Sequence, residues 1–346
     1  MKRRVEILDC TIRDGGGALY DYGVESGREL YFTKDKIQSI LENLQESKVD
    51  YVEIGSVDYG RTGLEQYAVY SSLEQVNKLL AKINGKSQKY TVFFRGPDTP
   101  LDEIIQWQEG NCDLIRMSIR YSQMQESLEY CKALIQKGYQ VSIQMTVTMR
   151  YTKEDVTQII EAANEMGVYA VYIVDSYGCI AKRQLYEIFK QLDDGLNKSI
   201  RIGFHAHNNL NFATVNAIDV LTIPTKRQII LDACCLGMGQ GAGNLHTEVI
   251  VNHLNNEYGT RYGLHAIIKA CDEISMYLED EAWGYSLATM IPAYYGAAYK
   301  YGVMLKYKYN LSFIKIDEIL AKLPEEMKYR YTDENLEFIL KANKRE

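Results

Sequence analysis

The sequence predicts an α/β protein built as a TIM (β/α)8 barrel with a C-terminal helical extension. Short β-branched runs recur at intervals of about thirty to forty residues, and each is followed by apolar spacing typical of a helix. Eight such units favour a closed barrel, because open doubly wound sheets more often have about five or six strands. Beyond residue 265 the alternation stops and helical spacing alone continues.

The eight strands are predicted from apolar, β-branched runs, and the helices between them from apolar positions that share one helical face. The predicted strands cover residues 5–10, 51–54, 90–94, 114–119, 140–146, 170–174, 200–204 and 228–232. Apolar residues at 37, 40, 41 and 44 predict the helix after the first strand. Those at 156, 159, 160 and 163 predict the helix after the fifth strand.

We expect two regions, a barrel over residues 1–265 and a helical region over residues 266–346. In the second region, apolar residues at 313, 316, 319, 320 and 323 predict a helix that Pro324 ends. No low-complexity linker separates the two regions. The helical region is therefore expected to pack on the barrel or on a partner, and the many tyrosines there are compatible with a homo-oligomer.

Composition favours small-molecule chemistry. The formal net charge of −7 argues against a nucleic-acid or anionic-membrane surface. No stretch reaches the ~18 apolar residues of a membrane span, and the start MKRRVEILDC lacks the apolar core of a signal peptide. The seven cysteines include no C-x-x-C pair, so neither a disulfide framework nor a zinc ribbon is indicated. A cytoplasmic protein with reduced thiols is expected.

Polar residues follow several predicted strands, at the barrel face where catalytic residues of such folds lie. Asp14 follows the first strand, Ser176 closes the sixth, and His205 and His207 close the seventh. Because strand side chains alternate, the two histidines project to the same side and can share one ion. A pair of hydrogen-bonded core histidines is the alternative interpretation of this H-x-H pattern.

One carboxylate and two imidazoles, from Asp14, His205 and His207, would leave about three positions of an octahedral ion for water or substrate. A 2-oxo acid can chelate there through its carboxylate and keto oxygens. The ion would stabilise the enolate formed when a carbon–carbon bond breaks or forms, and Arg13 would add positive charge. Mn²⁺ or Mg²⁺, with Co²⁺ as a further option, suits this ligand set better than a structural zinc.

Four strings carry a resemblance to a known family: LDCTIRDGG, DSYG, GFHAHNN and GMGQGAGNLHTE. In this order and spacing they resemble the DRE-TIM metallolyase superfamily of HMG-CoA-lyase-like barrels, and within it the aldolases of the 4-hydroxy-2-oxovalerate type. The resemblance covers roughly residues 5–255. It implies metal ligands at Asp14, His205 and His207, an enolate-stabilising Arg13, an asparagine at or near the metal at Asn244, and a pyruvate-pocket residue at Ser176.

The chain departs from the aldolase pattern at Gly17, where those aldolases commonly have a histidine that serves as the base for the substrate hydroxyl. A retro-aldol reaction needs a group to accept that proton. The sequence offers Tyr20, Tyr22, His246 and Tyr285 without choosing among them.

The predicted function is a divalent-metal-dependent aldolase that cleaves a 4-hydroxy-2-oxo acid and releases a pyruvate-type enolate. Two alternatives stay open: an acyl-CoA condensing synthase of the isopropylmalate or citramalate kind, and a catalytically impaired scaffold subunit. The resembling aldolases contact a partner dehydrogenase through their helical region, so the same partner is an expectation here.

Overall fold

A closed barrel of eight parallel strands forms the body of the computed structural model, which describes residues 5–83 and 88–343. The strands are β1 (Val5–Asp9), β2 (Tyr51–Val57), β4 (Lys89–Phe94), β5 (Leu114–Ser118), β6 (Gln140–Met145), β7 (Ala170–Asp175), β8 (Arg201–Ala206) and β9 (Ile229–Ala233). Around the barrel they run β1-β9-β8-β7-β6-β5-β4-β2, and pairing of β1 with β2 closes the circle. The predicted TIM barrel is confirmed.

One short strand, β3 (Val69–Tyr70), pairs with β2 outside the circle and was not predicted, because two residues give no periodicity to detect. Eight helices surround the barrel: α1 (Thr11–Ser26), α2 (Lys34–Ser47), α3 (Leu73–Leu80), α4 (Met124–Gln136), α5 (Lys153–Met166), α6 (Lys182–Gly195), α7 (Ala213–Thr222) and α8 (Thr247–Glu257). The barrel strands are almost wholly buried, as expected for a parallel sheet covered by helices.

Six further helices follow the barrel: α9 (Leu264–Glu279), α10 (Leu287–Tyr294), α11 (Lys300–Val303), α12 (Phe313–Leu320), α13 (Glu325–Lys328) and α14 (Asp333–Asn343). Apolar side chains of α9 join the hydrophobic core of the barrel, whereas those of α10 to α14 form a second core. The boundary near residue 265 stays a prediction. In the described part of the chain, no helix combines the length and apolar character needed to span a membrane.

The helical region covers the barrel mouth through defined polar contacts. The Tyr177 hydroxyl, just after β7, donates to the carbonyl of Tyr329 at 2.9 Å. The buried Tyr301 of α11 donates to the carbonyls of Met327 and Arg330 at 2.8 and 2.9 Å. These bonds fix the segment 327–331 over the carboxyl ends of the strands, where the chemistry of this fold takes place.

Candidate active site and metal centre

A cavity of about 530 Å³ lies at the carboxyl ends of the strands. Barrel residues at or just after the ends of β4, β5, β6, β7 and β8, together with residues that follow β1 and β9, form its floor and walls. Two segments of the helical region, residues 298–300 and 329–331, form the rest. Arg13, Asp14, Ser176, His205 and His207 all line it. The structure therefore brings five of the predicted site residues to one cavity.

Arg13 belongs to a buried series of charged side chains that contact one another in turn. Its Nη1 contacts Asp14 Oδ1, and its Nε donates to Glu53 Oε2 at 2.6 Å. Glu53 Oε2 also lies 2.8 Å from Nη1 of Arg116, and both of those side chains are fully buried. Burial opposes the charge on Arg13, but Asp14 and Glu53 raise its pKa. The Arg13 guanidinium therefore stays cationic beside Asp14.

This series of side-chain contacts continues across the barrel and returns to Asp14. Nη2 of Arg116 contacts Asp232 Oδ2, which lies 3.0 Å from His205 Nδ1. His205 Nε2 in turn lies 3.6 Å from Asp14 Oδ2. The closed set is called the charge ring below; it consists of Asp14, Arg13, Glu53, Arg116, Asp232 and His205.

His205 is held in its neutral form by this arrangement. Burial lowers the pKa of His205 well below its usual value, although Asp14 opposes the shift. The neutral ring donates its Nδ1 proton to Asp232, which leaves the lone pair of Nε2 directed at Asp14. A carboxylate that fixes the tautomer in this way is the usual support of a metal-binding histidine.

His207 lies beside His205, with ring centroids 5.2 Å apart and planes at 73°. Its Nδ1 is 3.4 Å from the carbonyl of Gln240, and burial lowers the pKa of His207 as well. Both imidazoles are thus neutral, and both line the cavity. Among the described residues, the group of ligand atoms that lie within 4.8 Å of one another includes Asp14 and His205 but not His207, so the shared ion stays a prediction.

Asn244 supplies a test of whether a cation fits here. It is buried, its Nδ2 donates to Asp14 Oδ2 at 2.8 Å, and its Oδ1 has no hydrogen-bond partner among the described residues. A buried oxygen without a partner is costly unless water or an ion satisfies it. Neutral imidazoles, a carboxylate and this amide oxygen are the donor types that a hard divalent ion accepts. The residues present therefore fit a divalent ion.

Cys10 is a neighbour of the site that the sequence did not single out. One ligand atom from each of Cys10, Asp14 and His205 lies within 4.8 Å of the others. Burial raises the pKa of the Cys10 thiol far above its usual value, so the sulfur stays protonated. A protonated thiol is a weak ligand, and the mixed oxygen and nitrogen set is the better description of the centre.

The remaining predicted site residues lie in different places. Ser176 accepts a hydrogen bond on Oγ from the backbone of Val147 at 2.8 Å and lines the cavity. Tyr20 packs edge-on against Tyr67 at 5.2 Å, and Tyr285 is 55% exposed. Neither of these two tyrosines is among the described residues that line the cavity.

A polar cluster occupies the side of the cavity next to Gly17. A Cβ added at Gly17 would lie 3.9 Å from Gln240 Nε2, and that amide donates to Asp21 Oδ2. Asp21 also accepts from the hydroxyl of Tyr299 at 3.2 Å and from Nζ of Lys300 at 2.8 Å. The helical region therefore places the Tyr299 hydroxyl in the same polar cluster, connected through Asp21 and Gln240 to the position where the resembling aldolases have their histidine.

Sequence reasoning missed several of these residues. Arg116 is a single arginine within the apolar strand LIRMS, and a buried charge in such a strand is the signal that could have found it. No local pattern marks Gln240, Tyr299 or Lys300, because they reach the site only through packing of loop and tail on the barrel mouth.

Comparison with known proteins supports a shared ancestry. The HMGL-like family model matches residues 4–274. A 4-hydroxy-2-oxovalerate aldolase of Geobacillus genomosp. 3 is 27% identical over 253 residues, which cover 72% of this chain and 70% of that protein. An oxaloacetate decarboxylase of Mycobacterium tuberculosis is 24% identical, with 71% and 68% of the two chains covered.

The fold is also that of a solved lyase. The crystal structure of a hydroxymethylglutaryl-CoA lyase from Pseudomonas aeruginosa superposes with a TM-score of 0.63 at 18% identity, covering 80% of this chain and 93% of that one. The predicted resemblance and the prediction of a lyase-type enzyme are confirmed. The chain belongs to the HMGL-like family.

Proposed function

We propose that the protein is a divalent-metal-dependent lyase that cleaves a 4-hydroxy-2-oxo acid into pyruvate and an aldehyde. The observation that carries this proposal is the charge ring, in which Asp232 fixes neutral His205 with its free nitrogen toward Asp14. With His205 neutral, the ring has three carboxylates and two guanidiniums. A net negative charge in a buried site favours a cation there.

Asp14, His205 and His207 would hold the ion, and Asn244 Oδ1 would lie at or near it. When bound, a Mn²⁺ or Mg²⁺ ion supplies Lewis-acid stabilisation of negative charge on the 2-oxo group. Arg13 lines the same cavity as a permanent cation, pinned by Glu53 at 2.6 Å. Its fixed position lets it stabilise the developing enolate oxygen without reorganisation.

The retro-aldol step breaks the bond between C3 and C4, and its electron pair moves to the 2-oxo group as the 4-hydroxyl becomes an aldehyde. The proton of that hydroxyl needs an acceptor. Tyr299 Oη takes it in our proposal, as the tyrosine's own proton passes to Asp21 Oδ2, 3.2 Å away. Burial raises the pKa of Tyr299 strongly, so its hydroxyl acts as a neutral relay and not as a phenolate. Reprotonation of the enolate at C3 then gives pyruvate.

Decarboxylation of a 2-oxo diacid is a second candidate, and Gly17 is the observation that favours it. Loss of CO₂ from oxaloacetate also produces a pyruvate enolate, but it involves no hydroxyl proton and needs no base at position 17. The oxaloacetate decarboxylase relative supports the same chemistry. The homo-oligomer, the partner dehydrogenase and the cytoplasmic location stay predictions.

The test uses the full chain freed of metal and then supplied with Mn²⁺. Pyruvate release is measured from 4-hydroxy-2-oxopentanoate and from oxaloacetate, with and without the ion. We expect metal-dependent release, and loss of at least about a hundredfold in His205→Ala, because a ligand of the ion is removed. His265→Ala, outside the cavity, is the matched control. Metal-independent release, or full activity in His205→Ala, would overturn the proposal.

A further inference from the structure

The cavity has a charge opposite to that of the chain as a whole. Among the described residues that line it, five are cationic and one, Asp14, is a carboxylate, although the protein carries a net charge of −7. The cations are Arg13, Arg95, Arg120, Lys300 and Arg330. This excess of positive charge favours an anionic ligand.

Some of these cations are already neutralised by neighbours. Arg13 contacts Asp14 and Glu53, and Lys300 contacts Asp21 at 2.8 Å. Arg120 pairs with Asp98 at the cavity edge, where its side chain is 40% exposed and solvent weakens the pair.

Arg95 is different from the paired cations. It is half-buried, its Nε donates to Ser56 Oγ at 3.3 Å, and among the described residues it forms no ion pair. Burial lowers the pKa of this guanidinium, although Asp58 opposes the shift. Guanidinium nitrogens without a carboxylate partner in a cavity are a receptor for a carboxylate or phosphate.

Arg95 and Arg120 lie on the barrel rim opposite the two histidines and the loop that carries Asn244. Arg95 follows β4, which faces β8 and its histidines across the circle of strands. Arg120 follows β5, which faces β9 and the loop that carries Asn244. An anion held by these arginines therefore belongs to a different part of the substrate than the group that meets the metal ligands.

Arg330 adds a further cation to the cavity lining, from the helical region that covers the barrel mouth. Its backbone is fixed by Tyr301, whose hydroxyl donates to the Arg330 carbonyl at 2.9 Å, and the preceding carbonyl accepts from Tyr177. The Arg330 side chain is exposed and, among the described residues, forms no ion pair. The three residues Arg95, Arg120 and Arg330 are called the distal arginines below.

We propose that the substrate carries a second anionic group, a carboxylate or a phosphate, at the end remote from its 2-oxo acid, and that the distal arginines bind it. This inference rests on the proposed function. It narrows the substrate class to dianionic 2-oxo acids, so the aldehyde released from the far side of the cleaved bond is itself an anion. A neutral aldehyde such as acetaldehyde would leave the distal arginines without a partner.

The test measures equilibrium binding to the Mn²⁺-loaded full chain by calorimetry, so it does not depend on turnover. The probes share one length and differ at one end: 2-oxopentanoate, 2-oxoglutarate and 2-oxo-4-phosphonobutanoate. We expect at least one of the two dianions to bind about tenfold or more tightly than 2-oxopentanoate, since each charge-assisted contact is worth at least about a factor of ten. Which dianion is preferred distinguishes a carboxylate from a phosphate substrate.

Substitutions of the distal arginines test whether these residues cause the preference for a dianion. The ratio of dissociation constants, monoanion over preferred dianion, should fall at least about threefold in Arg330→Gln and about tenfold in Arg95→Gln, and Arg95→Lys should restore part of it. Arg183→Gln, whose side chain is 91% exposed on α6, is the control and should keep the native ratio. Circular dichroism checks that each variant folds.

Two results would overturn the inference: a ratio near one in the native protein, or a ratio that Arg95→Gln and Arg330→Gln both leave unchanged. Pyruvate release from 4-hydroxy-2-oxopentanoate and from oxaloacetate is measured in parallel. Metal-dependent release with a ratio near one rejects only the second anionic group, whereas absence of release from both substrates rejects the proposed function.

Discussion

Replacing Asp232 by asparagine tests the charge ring, because Asp232 contacts both Arg116 and His205. All three side chains are nearly or fully buried. The substitution leaves Arg116 with Glu53 as its single charged partner and turns an acceptor-only carboxylate into a group that also donates. Removing one partner of a buried pair costs about 3 to 5 kcal/mol. We expect the free energy of unfolding to fall by about 3 kcal/mol, the lower end of this range, because Glu53 still lies 2.8 Å from Arg116.

The same substitution should weaken metal binding. Without the carboxylate, His205 loses the acceptor that fixes its Nδ1 proton and directs Nε2 toward Asp14. Loss of such a supporting carboxylate lowers metal affinity about 10- to 100-fold. Urea unfolding followed by circular dichroism measures the first effect, and calorimetric Mn²⁺ titration of the folded protein measures the second.

Asp219→Asn is the matched control, because Asp219 pairs with Lys182 at 2.8 Å on the surface, where the lysine side chain is 75% exposed. That pair is worth at most about 1 kcal/mol, and Mn²⁺ affinity should not change. The reasoning fails if Asp232→Asn unfolds at the native urea concentration, or if it is destabilised as expected but binds Mn²⁺ with native affinity.

Three further predictions concern the relay, a buried acid and the loop that holds Asn244. Tyr299→Phe should lower kcat for 4-hydroxy-2-oxo acid cleavage about 100-fold or more, while kcat for oxaloacetate decarboxylation stays within about threefold of the native value. Equal losses of kcat in the two steady-state assays would count against the relay. Burial raises the pKa of Asp175 from 3.8 to about 6, so the folded state binds the proton more tightly than the unfolded state does. The free energy of unfolding should therefore fall by about 2 kcal/mol as pH rises from 4 to 6. In Asp175→Asn the dependence of the unfolding free energy on pH, measured by urea titrations, should be smaller. An unchanged pH dependence would contradict the raised pKa of Asp175. Gly243→Ala should lower the free energy of unfolding by at least about 1 kcal/mol and weaken Mn²⁺ binding. The reason is that φ is 90° at this position and the new Cβ would lie 2.1 Å from the Gly237 carbonyl oxygen. Thermal unfolding at the native temperature would refute this prediction.

The fold was predictable because each strand is a local, β-branched run and the barrel follows from their number. The run before His205 places it and His207 on one side through strand alternation alone, and the structure has their rings 5.2 Å apart. Asp14 was predictable as a cavity residue because it follows the first strand closely, although it lies in the first turn of α1. These residues carry their signal within a few neighbouring positions of the sequence.

The supporting residues were not predictable because their partners are remote in sequence. Arg116 meets Asp232 across 116 positions, and Asp21 meets Tyr299 across 278. No periodicity records such pairs, since each is created by closure of the barrel or by docking of the helical region. Tyr285 was a reasonable choice from sequence for a tail tyrosine, but the turn before α11 places Tyr299 in the cavity instead.

The segments 298–300 and 329–331 complete a cavity whose floor belongs to the barrel, and this divides the enzyme's chemistry between two parts of the gene. Mutations in these two segments can alter which molecules are accepted while Asp14 and the two histidines stay in place, since Arg330 is encoded more than fifty codons downstream of Asn244. Grafting the last fifty residues of a relative onto this barrel would therefore exchange Arg330 and Tyr299 together, and would leave Arg95, Arg120 and the barrel floor unchanged.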